Sequence, residues 1–412
     1  MAGRSVLVLG GGMCGVGAAW HLLQRGFEVT LVDRRGPGEE TSYGNACLIQ
    51  RECVEPHEFP HDIRMLARIG LGRDNSATYH WDAMPGLVRP LARYWLNSRP
   101  GRYRSIVRSY EALIRHCLSE HAPMIEAAGA EDLLARVGFK QLIPTETDFD
   151  AQTASARRLQ REFGVNSTVL DADALTASEP ALRVRMAGAI HWTDPWLVRD
   201  PGELVKRYAA LFEREGGKIV QGDAMTLTRK GAFWTVGTDA GLIDASSAVI
   251  ALGPWSDRLM TKLGYNYPLF IKRGYHLHYK PDVPLNTPVM DPVAGMVVVP
   301  AKRGTRVTTG AEFAKLGAPP SPRQLVGAEA RARELFDLGR AVEDAPWLGN
   351  RPCTPDMLPI IGAATSHPGL WLHFGHAHQG FTLGPATGRL LAEMMNGETP
   401  YIDPLPYTPS RF

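Results

Sequence analysis

VLVLGGGMCGVGAAWHLLQRGFEVTLVDRR, residues 6–35, decides the fold. Residues 6–9 form a short apolar run of the kind that makes a buried strand. Three glycines follow, and residues 14–24 then place Val16, Ala19, Trp20 and Leu23 on one helical face. Gly26 ends that helix, and residues 28–32 read as a second strand closing on Asp33. Within this β-α-β unit, Gly10-x-Gly12-x-x-Gly15 sits between strand and helix, as a dinucleotide fingerprint must. Gly10 permits the tight turn, Gly12 lets backbone approach a pyrophosphate, and Gly15 allows close packing of helix on strand. The helix N-terminus offers free N–H groups and a positive dipole to phosphates. Asp33 stands where a carboxylate can accept hydrogen bonds from a ribose. Taken singly, the glycines read as a packing turn and Asp33 as a surface acid; strand, helix, second strand and acid together predict a nucleotide site.

Outward from this unit the chain changes character. Residues 34–45 form a loop rich in Gly, Ser and charge. Residues 55–190 are mainly helical, with Ile106, Tyr110, Leu113, Cys117 and Met124 spaced by three, four or seven, and a strand at 137–143. Nucleotide-type pieces return with a helix at 201–215, which has Pro201 in its first turn. A strand at 218–220, a hairpin at 232–236 and 242–244, and an apolar strand at 247–252 follow. Residues 265–345 alternate short strands (275–279, 296–299, 306–309) with Pro-rich turns, and 315–323 is a loop with three prolines. A strand at 370–374 and a glycine-rich turn lead to a last helix ending near Asn396.

A chain of 412 residues exceeds what one core usually serves. The pattern therefore predicts a mixed α/β (α+β) protein. Its discontinuous Rossmann-like domain comprises residues 1–55, 190–260 and 348–400, and binds FAD. An antiparallel sheet with helices, residues 56–189 and 261–347, forms the inserted substrate domain, and 401–412 is a tail. Leaving the nucleotide fold after one β-α-β unit favours a flavin over NAD.

The totals exclude several classes. A formal net charge of +2 gives no case for nucleic acid, and no apolar run reaches the ~18 residues of a membrane span. Residues 6–9 are too short for a secretory signal. Cys14, Cys47, Cys53, Cys117 and Cys353 are odd in number and lack a CxxC pair, so neither a disulfide framework nor a zinc site is expected. His276 and His278 do not make a metal site without a third ligand. A cytoplasmic location fits this usage.

Beyond the fingerprint, four stretches carry a resemblance: residues 6–35, ETSYGNA (40–46), ALGPWS (251–256), and RPCTPDMLPIIG (351–362) followed by GHAHQGFTLGPATGRLLAEMM (375–395). RGYHLHY (273–279) and GAEFA (310–314) add to it. Over nearly its whole length the chain resembles the D-amino-acid oxidase and dehydrogenase superfamily of flavoproteins. It is most similar to bacterial D-amino-acid dehydrogenases, especially the branch acting on cis-4-hydroxy-D-proline. The resemblance implies non-covalent FAD along Gly10, Gly12, Met13, Cys14, Gly15, Asp33, Arg34 and Arg35. Thr41, Ser42, Asn45, Ala46, Cys47 and Leu48 would lie beside the flavin and its ribityl chain, and Met225 would meet the adenine through its backbone. Ala251, Gly253 and Trp255 would lie where the chain returns to the cofactor, and Gly375, Gly380, Phe381 and Thr382 near the ring. Independently, a helix starting just after Gly380 would aim its dipole at the flavin edge that gains negative charge on reduction. In that helix Pro385 is expected in the first turn. Cys47, where the family has glycine, and Leu48-Ile49-Gln50 depart from the pattern.

On the substrate side the resemblance places Arg351 where a substrate carboxylate is held, a task suited to two parallel guanidinium N–H donors; pairing with Asp356 is the plainer alternative. The Tyr275 hydroxyl can donate to the same carboxylate or serve as a strand aromatic. His376 and His378 flank the flavin-facing turn as candidate catalytic groups or as lining. Cys353 reads as a buried thiol. The expected reaction is hydride transfer from Cα of a small or proline-like D-amino acid to flavin N5. Two rivals stay open: a secondary-amine oxidase of the sarcosine or glycine type, and a non-catalytic flavoprotein for assembly or binding. Electrons would pass to a quinone of the respiratory chain or to oxygen. Arg89, Arg93, Arg99, Arg102, Arg104, Arg108 and Arg115, with Trp81, Tyr94, Trp95 and Tyr103, make a stretch suited to peripheral contact with the inner face of a membrane, or simply to a solvated face.

Overall fold

In the computed structural model, residues 4–71 and 77–412 are described. Residues 1–3 and 72–76, which fall in the expected flavin and substrate parts, lie outside the described residues. Ser5–Leu9 pairs in parallel with Glu28–Asp33 on one side and Ser247–Ile250 on the other. Leu370–Phe374 and the start of Lys218–Lys230 extend this parallel core outward. These strands are apolar on both faces because both are covered, one by helices and the other by the helix Ser256–Lys262 and the folded-over strands Lys218–Lys230 and Phe233–Thr238; Val6, Leu7, Val8 and Leu9 are all buried. Antiparallel strands Phe233–Thr238, Gly241–Ala245 and Ile360–Ala363 complete eight.

The strand expected at 218–220 is the start of a 13-residue one, Lys218–Lys230. It serves two partners in turn. Lys218–Gln221 pairs with Glu28–Asp33, and the rest with Phe233–Thr238 across a register shift between Asp223 and Thr228. Its polar second half carries no apolar run, so its pairing could not be read from pattern.

An eleven-stranded sheet forms the second layer. Phe270–Lys280 organises it, pairing with Gly304–Thr308 through residues 276–279 and with Trp347–Cys353 through residues 270–276. The expected divisions at 190 and 348 fall inside two strands of this sheet, Gly188–Trp192 and Trp347–Cys353. Arg323–Leu335 is a helix in a region read as strands and turns. Its buried positions, Leu325, Ala328, Ala332 and Leu335, have helical spacing, but two alanines give a weak signal.

Two helices from opposite ends of the chain, Met13–Leu23 and Gly380–Asn396, meet backbone to backbone. A Cβ on Gly17 would stand 2.8 Å from the Gly384 carbonyl oxygen, and one on Gly388 2.6 Å from the Ala18 nitrogen. Because the last helix begins at Gly380, Pro385 lies in its second turn and not its first. Proline has no N–H to give the carbonyl four residues back, Phe381. His121 replaces it: its Nε2 lies 3.1 Å from the Phe381 oxygen, while Tyr208 Oη donates to Nδ1 at 2.9 Å. Burial lowers the His121 pKa to about 4, so the ring is neutral and can hold this one-donor, one-acceptor state.

Candidate active site

A cavity of about 1140 Å³ runs from the glycine turn after the first strand to the wall made by Phe270–Lys280 and Trp347–Cys353. That exceeds the ~300–1,000 Å³ of a single small-ligand pocket. At the nucleotide end the backbone is shaped for close approach. Gly10 has φ 114°, and a Cβ there would stand 2.5 Å from the Ala251 oxygen. Gly15 is off the wall, pressed against the turn: its Cβ would stand 1.8 Å from the Gly10 oxygen. The helix behind the turn has no acidic residue in its first turn and no side-chain cap at Gly12. Ser42 Oγ accepts the Met13 N–H at 3.0 Å, tying the 40–46 loop to this N-terminus.

Asp33 is used from two sides. Oδ2 accepts the Gly11 N–H at 2.7 Å, and Oδ1 accepts those of Arg35 and Gly36 at 2.8 and 3.0 Å. Its carboxylate thus shapes the turn and also borders the cavity. Arg34 lies 4.3 Å over the Trp255 ring, and both border the cavity. Arg35 points away, exposed and 3.4 Å from Glu40, because the chain turns outward after Asp33.

Met13, Cys14, Thr41, Asn45, Ala46, Leu48, Met225, Ala251, Gly253, Gly375, Gly380 and Phe381 are also on the wall, with Gly10, Gly12 and Ser42. Cys47 and Thr382 are not. Cys47 is fully buried with φ 61°, a left-handed backbone. This accounts physically for a glycine at that position in the resembling family. The Thr382 hydroxyl is turned to the Gln50 N–H at 3.3 Å. Met225 reaches the wall, but its N–H donates to Asp223 Oδ1 at 2.9 Å and its carbonyl accepts Lys262 Nζ at 2.6 Å. An adenine contact through that backbone must share these groups.

At the far end Arg351 leans across Gly274, where a Cβ would stand 2.2 Å from Nη2. Two of its five N–H donors go to backbone carbonyls, Nη1 to Gly310 at 2.6 Å and Nη2 to Thr309 at 3.3 Å. Asp356 is not its partner; Arg411 takes that carboxylate at 2.7 Å. Among the described residues no carboxylate pairs with Arg351, and burial lowers its pKa without removing its charge.

Tyr275 borders the cavity, but its hydroxyl is turned away from Arg351. It donates to Glu312 Oε2 at 2.8 Å and accepts the Ser321 N–H at 2.7 Å. Glu312 in turn accepts from buried Arg273 at 2.7 Å, whose Nη atoms reach the Ala318 and Pro319 carbonyls. This network fastens the three-proline loop and leaves Tyr275 no free donor for a substrate.

His376 and His378 both reach the wall. His376 Nε2 is 3.0 Å from Thr387 Oγ1, and burial holds its ring neutral. His378 packs on His57 with ring centroids 4.8 Å apart. His378 is held well below its ordinary value by burial, then by His57 and the Arg351 and Lys272 cations. The sequence reading missed His57, Tyr94, Lys272 and Glu52. Lys272 Nζ donates to Tyr94 Oη at 3.3 Å. Glu52, pushed by burial to about 7, accepts from Gln50 Nε2 at 2.8 Å. No spacing signals any of the four; Lys272 is singled out only by the residue that stands opposite it in another strand.

Cys353 is a buried thiol on the wall, and burial raises its pKa. Of the basic stretch, Tyr94 is buried and Tyr103 sends its hydroxyl inward to the Pro56 carbonyl at 2.6 Å. The exposed apolar groups there are Ile63, Leu71, Trp81 and Val88. Among the described residues no helix is long and apolar enough to cross a membrane.

The glycine cradle, the open helix N-terminus and the length of the cavity fit FAD. Comparison with known proteins agrees. Residues 5–394 match the family model described as FAD dependent oxidoreductase, DAO. The chain is 31% identical to a D-amino-acid oxidase of Bradyrhizobium diazoefficiens, covering 100% of this chain and 99% of that one. It is 30% identical to a D-amino acid dehydrogenase of Chromohalobacter salexigens, covering 99% of each. The fold is shared with glycine oxidase from Geobacillus kaustophilus (TM-score 0.74, 21% identity, covering 99% and 98%). It is shared also with L-proline dehydrogenase from P. horikoshii (TM-score 0.75, 18% identity, covering 100% and 98%). By the family match over nearly its whole length, and by two relatives at 30% identity or more from end to end, the chain belongs to the DAO family of FAD-dependent oxidoreductases.

Proposed function

We propose that this protein dehydrogenates a small D-amino acid at Cα. One observation carries the reading: a guanidinium with no carboxylate partner among the described residues, held by the Thr309 and Gly310 carbonyls, at the end of the nucleotide cavity. Such a group fixes a carboxylate in both position and orientation. Two relatives named for D-amino acids support the substrate class. The resemblance suggests cis-4-hydroxy-D-proline as one candidate side chain.

When bound without a covalent link, FAD supplies at N5 the acceptor for the hydride that leaves Cα. Gly10, Gly12 and the first helix N-terminus would hold its phosphates, with Asp33 on the ribose. Thr41, Ser42, Asn45, Ala46 and Leu48, Ala251 to Trp255 and the start of the last helix would surround the ring and its chain. Arg351 holds the substrate carboxylate so that Cα–H lies in reach. The substrate's amine lone pair forms C=N as the hydride leaves, and the nitrogen releases its proton. Neutral His57 and His378 add hydrogen-bonding partners without adding charge. The imine from a primary amine hydrolyses to a keto acid; from a proline-like ring it stays cyclic. The flavin part draws on residues 1–55, 190–260 and 348–400, and the substrate part on the two stretches between.

The test is anaerobic bleaching of the flavin by a panel of D- and L-amino acids, hydroxyprolines, glycine and sarcosine. Bleaching by D-amino acids supports the reading. Bleaching by sarcosine or glycine alone moves the protein to the sarcosine- or glycine-type oxidases. A yellow protein that nothing bleaches points to a non-catalytic flavoprotein.

A membrane-facing role is supported by the exposed Trp81 and Val88 in the same stretch of chain as the exposed Arg89, Arg102 and Arg108. In this reading electrons pass to a membrane quinone, not to oxygen. Sedimentation with anionic vesicles, lost at high salt, is expected; no association at low salt removes it.

A further inference from the structure

Lys272 stands directly opposite Arg351 in the antiparallel pairing of Phe270–Lys280 with Trp347–Cys353. Opposed residues point to the same face, with Cβ atoms about 4.5–5.5 Å apart. Both border the cavity, as do Phe270 and Gly274, which flank Lys272 two residues away on that face. Two cations therefore enter one small space side by side.

No carboxylate offsets them. Among the described residues neither Lys272 nor Arg351 has an ion pair. Of the acids bordering the cavity, Glu40 pairs with Arg34, Glu55 with Arg158 at 2.8 Å, Glu52 accepts from Gln50, and Asp33 and Asp223 accept backbone N–H groups. Glu58 is exposed and, among the described residues, forms no ion pair with either cation. Lys272 is instead held among aromatic faces, with Nζ 4.4 Å from the Tyr94 centroid, 5.6 Å from Phe270 and 5.7 Å from Phe313. The rings position the ammonium and attract it. Only one of its three N–H donors has a hydrogen-bond partner, Tyr94 Oη. The neighbouring His57 and His378 supply no negative charge, and both rings feel these same two cations. Two half-buried like charges side by side favour a counter-anion, and a ligand is the available source.

We infer that the substrate carries two carboxylates: Arg351 holds the one on Cα, and Lys272 receives a second at the end of a short side chain. The inference rests on the reading of Arg351 as the Cα-carboxylate anchor, and it sets acidic D-amino acids above the neutral and ring candidates. Lys272 is thus a specificity residue.

The test uses the FAD-loaded enzyme and has two arms. In turnover, D-aspartate or D-glutamate is expected to show kcat/KM about 30-fold or more above D-alanine and cis-4-hydroxy-D-proline, as a charge-assisted hydrogen bond allows. Lys272→Met should collapse that ratio while the protein stays yellow, and Lys272→Glu should move the preference toward D-lysine. In binding without turnover, succinate should bind the wild-type protein about 30-fold more tightly than propionate by calorimetry. Lys272→Met should erase the difference. If D-alanine or the hydroxyproline is preferred and succinate binds no better than propionate, one carboxylate shared by both cations is the answer, and the inference falls while D-amino-acid oxidation stands. If no amino acid bleaches the flavin, the functional reading fails, and the succinate arm still decides whether a two-carboxylate site exists. Should Lys272→Met not fold, the wild-type ratios alone decide.

Discussion

Arg351 has two backbone acceptors and no acid, so its value lies in what it binds. Arg351→Met is expected to keep FAD and lower kcat/KM by about 30- to 1,000-fold, the cost of removing one partner of a buried charge pair. Steady-state kinetics on the yellow protein checks this. Gly274 gives a finer probe. An alanine there would put a methyl 2.2 Å from Nη2, and the guanidinium would have to move. Gly274→Ala should fold normally and lose about 100-fold in kcat/KM, as small misplacements do. Cys47 tests backbone strain. A left-handed backbone suits glycine and punishes branching at Cβ. Cys47→Val should cost about 2 kcal/mol or more, whereas Cys47→Gly exchanges relief of strain for a small void and should stay within about 1 kcal/mol. Denaturant melts separate them. Arg351 was legible in the sequence because a recognisable motif surrounds it. Lys272 was not, because its meaning depends on which residue stands opposite in another strand. Tyr275 misled for the same reason: its hydroxyl is claimed by Glu312, 37 residues away.

Among elements, the glycine turn, its helix and the strands on either side could be read from local pattern, since each is one apolar period between glycines. The last helix was also legible, but its start was misplaced by two residues, which moved Pro385 out of the first turn. Only a distant side chain makes that proline tolerable. His121→Leu should leave the Phe381 carbonyl unsatisfied and cost about 1–3 kcal/mol. The damage should centre on the start of the last helix, so faster amide exchange there, with weaker FAD retention, is the expected signature. Unchanged exchange at residues 383–387 would rule out this role for His121. Helix Arg323–Leu335 and the second half of Lys218–Lys230 escaped the sequence because alanines and polar residues carry little periodic signal.

Across the whole molecule, buried histidines set the acid limit. Burial lowers His21 and His373 to about 3, and His121 to about 4, from an ordinary 6.5. The unfolded chain takes up these protons below about 6.5 and the folded chain does not until about 4 or lower. The stability they contribute is therefore complete above 6.5 and drains away as the pH falls, on the order of 1 kcal/mol per histidine per pH unit. Glu52, raised to about 7, acts with the opposite sign between 4.5 and 7, but one group opposes three. Melting temperature should fall steeply between pH 6.5 and 4; a flat profile would refute the assignment of neutral rings. The glycine contact between Met13–Leu23 and Gly380–Asn396 has a consequence for biosynthesis. The helix that opens the nucleotide cradle is made roughly 370 residues before the surface it rests on. Until residue 388 is free of the exit tunnel, the nascent chain must carry its phosphate-binding turn on an unsupported helix, so cofactor capture waits for the last helix.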